Sequence, residues 1–138
     1  DQNNMSTSHG LKDQTDVTWH GVIAIISPND RKTKIHPAHD DHAEIWLNGD
    51  KVYDNPAWTG AVDKVTKPTD VQLKKGENYL HIKVGESGGA DYVNLHFEAA
   101  DTDLKVAPTT DNKFLEVLTA VEAKGKLATT WGSIKGAN

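Results

Sequence analysis

The chain has 138 residues, with 15 Lys+Arg against 20 Asp+Glu for a net charge of −5, and no cysteine; this fits one domain and leaves no room for a second lobe. The missing thiols exclude disulfide frameworks, thiolate zinc sites and cysteine catalysis, while basic residues scattered among acids argue against a nucleic-acid partner. A mean hydropathy of −0.61 and a hydrophobic share of 36% indicate thin elements with much polar edge, and no apolar run approaches the length of a membrane span.

Residues 1–16 are polar and rich in Gly, Ser and Asn, a composition that buries too little apolar surface to order itself, so they read as a flexible lead-in. Neither an initiator Met nor the apolar core of a signal peptide opens the chain, which reads as a mature or excised piece of something longer. Residues 17–26 (VTWHGVIAII) alternate, with Val17, Trp19, Gly21, Ile23 and Ile25 on one face, and predict a long, largely buried strand. SPND at 27–30 predicts a turn. In residues 43–53 (AEIWLNGDKVY) two β-rich runs flank Asn48-Gly49, the signature of a type I′ hairpin. A loop rich in Pro, Asp and Thr follows over 54–70. Residues 71–73, 79–84 and 92–98 then predict strands, with Leu80, Ile82, Val84, Val93, Leu95 and Phe97 facing inward. Short strands at this spacing imply an all-β fold, an antiparallel β-sandwich of jelly-roll type over residues 17–110. Phe114, Leu115, Leu118 and Val121 fall at helical intervals, so residues 111–138 predict a short C-terminal helix or an extended tail.

The segment HPAHDDH (36–42) concentrates three of the seven histidines beside two adjacent acids. Three readings compete. Imidazole and carboxylate from His36, His39 and Asp41 suit a divalent transition metal. Asp40 and Asp41 alone suit Ca²⁺, completed by carbonyls, water and a nearby acidic loop. Alternatively, this is a polar loop whose Asp side chains cap backbone N–H groups. Further ligands would come from GESGGADY, where Glu86 and Asp91 flank a Gly-Gly pair. Trp58, beside Asn55 in the long loop, and Tyr92, at the edge of the Gly-rich loop, offer rings on which pyranose faces stack. Trp19 and Trp46 lie inside strands and read as sandwich filling. His81 and His96, on polar strand faces, read as cross-strand partners or solvated rings.

The run from Val17 to Phe97, with SPNDRKTKIH, HDDHAEIWLNGDKVYDN, VQLKKGENYLHIKVGES and YVNLHF, resembles the lectin-like β-sandwich modules appended to secreted bacterial hydrolases. More distantly it resembles the anthrax-protective-antigen-type adhesin lectins. The resemblance implies a non-catalytic carbohydrate-binding or adhesive module, secreted or at a cell surface, linked covalently to neighbouring domains of a parent protein. In the adhesin lectins an adjacent Asp pair, often joined by a cis peptide, holds a Ca²⁺ that sugar hydroxyls also coordinate. The resemblance thus assigns Asp40 and Asp41 to the metal; His42 stands where the pattern usually has Gly. The full candidate set is Asp40, Asp41 and Asp91 for the cation, and Trp58, Asn55, Tyr92, Glu86 and His42 for a glycan or polysaccharide. The other classes weighed are a structural or protein-docking module with a purely structural Ca²⁺, and a histidine-rich metal binder or small hydrolase. No G-x-S-x-G, H-E-x-x-H or phosphate-loop motif is present, and no catalytic residue is assigned.

Overall fold

A computed structural model describes residues 4–107. The chain divides into two compact units, Asp1–Lys105 and Val106–Asn138. The expected C-terminal helix lies outside the described residues. The first unit is an antiparallel β-sandwich. Its elements are a short helix α1 (Met5–Ser8), β1 (Val17–Ser27), β2 (Arg31–Asp40), β3 (His42–Leu47), β4 (Asp50–Asn55), β5 (Thr69–Leu73), β6 (Gly76–Glu86) and β7 (Tyr92–Phe97), with β8 (Lys105–Ala107) at the unit's boundary. The larger sheet runs β4-β3-β6-β1 and the smaller β5-β2-β7.

Alternation explains the core. Ile25, Ala43, Ile45, Leu47, Tyr53, Leu80, Ile82 and Val84 from the larger sheet meet Ile35, Val71 and Leu73 from the smaller, with Val93, Leu95 and Phe97 packed against them. The hairpin forms as expected, with Asn48 at φ 54° and Gly49 at φ 95°. The buried Asn78 joins this end of the sandwich together. Its Oδ1 accepts from the Lys74 amide at 2.9 Å and Asn48 Nδ2 at 3.0 Å, and its Nδ2 donates to the Lys74 and Gly76 carbonyls at 2.8 and 3.1 Å.

Several expectations are corrected. The 36–42 segment is not a loop: most of it is the second half of β2, the middle strand of the smaller sheet. Pro37 is tolerated there because pairing with β5 ends at Ile35↔Thr69, so at position 37 only β7 is alongside. β1 is buried mainly near its end, at Ala24, Ile25 and Ser27, while Val22 is exposed. Trp46 does not fill the sandwich; with Ala43, Ile45 and Leu47 inward, the pleat turns it outward.

Where composition predicts a flexible lead-in, Asn4–Ser6 are held against Asp91. Asn4 forms a bridge with Asp91 and caps α1 by accepting from the Thr7 amide at 2.8 Å. Fully buried Asp91 accepts from Met5 N at 2.6 Å, Ser6 N at 3.3 Å, Ser6 Oγ at 3.0 Å and the Trp19 indole at 2.9 Å. Asp91→Ala leaves these donors without their acceptor and is expected to cost about 2–4 kcal/mol in urea unfolding. Amide exchange at Met5 and Ser6 should accelerate with it, as the lead-in comes free.

Candidate functional site

The site lies where the chain passes from one sheet to the other. β2 ends at Asp40, whose register partner is Tyr92 of β7, and β3 begins at His42, opposite Gly85 of β6. The Asp40–Asp41 peptide bond between them is cis. The Asp41 amide donates to the Gly85 carbonyl at 2.8 Å, which brings the acidic pair against the end of β6, where Glu86 follows. Along β6 the inward positions are Asn78, Leu80, Ile82, Val84 and then Glu86, so this carboxylate occupies a core-facing register position.

Ligand oxygens of Asp40, Asp41 and Glu86 all lie within 4.8 Å of one another. Glu86 is 4% exposed and neither carboxylate oxygen has a hydrogen-bond partner. Burial pushes its pKa up, and the charges of Asp41, Asp91 and Asp13 push the same way. The Gly88 amide opposes the rise but is outside hydrogen-bonding geometry to either oxygen. Asp40 is pushed up to about 7 by burial, by its hydrogen bond with Asp41 and by the charges of Asp41, Glu86 and Asp91. Asp41 is held below the usual carboxylate range chiefly by the Ser87 hydroxyl, with the Ser87 amide donating at 2.8 Å. Without a cation, Asp41 is therefore ionised while Asp40 holds its proton until the pH approaches about 7. Among the described residues no Lys or Arg forms an ion pair with any of the three.

His39, fully buried, fixes the peptide behind the acids. Its Nδ1 donates to the Asp41 carbonyl at 2.9 Å and its Nε2 accepts from the Tyr53 hydroxyl at 2.7 Å; the carbonyl can only accept, which assigns this tautomer to the neutral ring. Burial lowers its pKa, in keeping with neutrality. Asn55 donates to the same Tyr53 hydroxyl at 3.2 Å. Both His39 nitrogens are thus engaged, and His36 is instead stacked on His96 with Nε2 3.1 Å from Glu98. The two histidines and Asp41 do not converge on a metal.

The exposed ring comes from the long loop. Thr59, buried, bonds the His39 backbone through its amide and hydroxyl, each at 3.1 Å, pinning the loop to the end of β2. The preceding Trp58 is 56% exposed, and its indole N–H donates to the Tyr92 hydroxyl at 2.8 Å. The structure thereby groups Asp40, Asp41, Glu86, Tyr92 and Trp58 at one end of the sandwich.

Five candidate residues make contacts of other kinds. Asp91 is outside the Asp40, Asp41 and Glu86 cluster, and its oxygens accept from four donors of the lead-in and Trp19. Glu86, expected to meet sugar, is buried beside Asp40 and Asp41. Tyr92 is buried and acts through its hydroxyl. Asn55 supports Tyr53. The His42 ring lies directly over Gly85, where any Cβ would require the ring to shift, so His42 packs on this glycine. Carrying the β6 alternation two residues beyond Val84 would have revealed Glu86's inward position.

The donor set is all hard oxygen, the type that suits Ca²⁺, and Glu86 is a buried acid with no protein partner. The residues present fit the cation that the resemblance implies. No family model matches the chain, and neither a curated protein nor a solved structure matches it.

The sign of the pH dependence follows from Asp40. Its folded pKa lies above the unfolded value of 3.8, so between those values the folded chain binds more protons than the unfolded one. Its contribution to stability is full below the unfolded pKa and lost as pH rises toward 7. In chelator, Asp40→Asn should therefore melt above the parent at pH 7, and the difference should vanish below about pH 4.

Proposed function

We propose that this chain is a non-catalytic glycan-binding module of a larger secreted protein, with Ca²⁺ held by Asp40, Asp41 and Glu86 and the sugar stacked on Trp58. The observation that carries the reading is Glu86: a carboxylate buried at the rim of an apolar core, without hydrogen-bond or Lys/Arg partner among the described residues, beside two further acids. A divalent cation supplies the missing countercharge, and its remaining coordination positions are open to hydroxyl oxygens.

Each residue then has a task. Asp41, ionised and aligned by Ser87, offers a carboxylate without further proton loss. Asp40 must release its proton to bind the ion, so affinity rises with pH through neutrality. The His39–Tyr53–Asn55 chain keeps the Asp41 carbonyl turned away from the ion. Trp58, fixed at its N–H by Tyr92 and open over much of its ring, offers an apolar face to a pyranose. One such subsite binds weakly, and attachment to a longer chain raises its effective concentration.

The decisive experiment is a glycan array with and without chelator. Binding to one sugar class, lost in chelator and lost in both Asp41→Asn and Trp58→Ala with unchanged circular dichroism, is the expected result. Ca²⁺ binding without glycan capture would instead assign the ion a purely structural part, for which the burial of Glu86 and Asp40 speaks. Trp58→Ala binding sugar like the parent would remove the proposed subsite.

A further inference from the structure

The outer face of the larger sheet carries donors of a different chemistry. β1 and β6 pair without interruption from Val17↔Glu86 to Ser27↔Gly76. His20 and His81 lie diagonally across this ladder, two residues out of direct register, since His20 faces Lys83 and Val22 faces His81. Their rings stack with centroids 5.2 Å apart and planes 21° apart, and His20 Nδ1 lies 3.0 Å from His81 Nε2. His20 is exposed and His81 half-buried. Trp46, the β3 register partner of His81, backs its ring at 5.0 Å. The nearest cation along the register, Lys83, is matched by Glu44 at 2.8 Å, and Glu44 also accepts from Lys51.

We propose that His20 and His81 form a surface chelate for a divalent transition metal of tetragonal preference, Cu²⁺ above all. A metal 2.0–2.1 Å from each of two nitrogens 3.0 Å apart subtends an angle of about 95° between them. That angle matches cis positions of a tetragonal Cu²⁺ or Ni²⁺ complex better than the roughly 109° of a tetrahedral zinc site. Both donors stand on strands locked by the same ladder, so little side-chain order has to be created on binding. In the metal-free pair one imidazole donates its N–H to the other. Loading moves that proton to the other nitrogen of the same ring, so that both facing nitrogens present lone pairs. Water completes the coordination. Imidazole nitrogen and hard carboxylate oxygen select different ions, so this site and the Asp40, Asp41 and Glu86 cluster are independent.

The test is titration of untagged protein with CuCl₂ in a weakly coordinating buffer near neutral pH, followed by calorimetry and by tryptophan fluorescence. One Cu²⁺ per chain is expected, with Ni²⁺ bound more weakly, and quenching diminished in Trp46→Phe while the stoichiometry holds. His20→Gln and His81→Gln should each weaken binding by about tenfold or more, as loss of a ligand must exceed the usual effect of an outer-shell change. His36→Gln, in the other stacked histidine pair, should bind like the parent. Saturating Ca²⁺ and Asp41→Asn should leave the titration unchanged, which separates this result from the fate of the glycan reading. Parent-like Cu²⁺ binding in the His20→Gln, His81→Gln double variant, or loss of binding in His36→Gln alone, overturns the proposal.

Discussion

Like charge, gathered out of water, is the constraint on which this molecule turns. Asp40, Asp41 and Glu86 meet where β2, β3 and β6 come together, and burial raises the pKa of two of the three. In bulk water three carboxylates would separate; here the β-ladders hold them. Asp40 is fixed by its register with Tyr92, Asp41 by its amide bond to Gly85, and Glu86 by being the last inward residue of an otherwise apolar series. The arrangement is tolerable without an ion only because Asp40 holds its proton and Ser87 satisfies one oxygen of Asp41.

The surrounding polar groups are nearly all used, which gives Glu86 its meaning. His39 spends both nitrogens on Asp41 and Tyr53, Asp91 takes four donors, and Asn78 bonds on both sides of its amide. A fold that satisfies its buried groups this thoroughly makes an orphaned carboxylate conspicuous. Asp91 also shows how little residue type says about role. It is as acidic and as buried as the cluster members, yet it binds the backbone of the lead-in and leaves them to face one another.

Much of this was legible in the sequence, and what was not has identifiable causes. Asn48-Gly49 marks its hairpin because few pairs adopt two successive positive φ angles, and the apolar alternation of β6 and β7 gives their inward faces directly. The acidic pair stood out as Asp40-Asp41, together with the Trp58 loop. The second half of β2 is hidden because Pro37 and the polar His36, His39 and Asp40 obscure a period of two, and only the staggered ends of β5 and β7 make that proline acceptable. The docking of residues 4–6 was illegible because it depends on a partner more than 80 positions away. Trp46 faces outward because the phase set by Ile45 and Leu47 outranks the size of its ring. The His20 and His81 contact required the β1–β6 register, which no local pattern contains.

β6 links two unlike extremities. It starts among the neutral amide bonds of Asn78 and finishes eight residues beyond it at Glu86, about 27 Å away for an extended chain. The two ends of the strand thus differ in kind, neutral amides at the hairpin end and acids at the other. A tether fixed to the exposed Lys74 or Lys75 would hold the strand by its neutral end, at the far end of β6 from the acids.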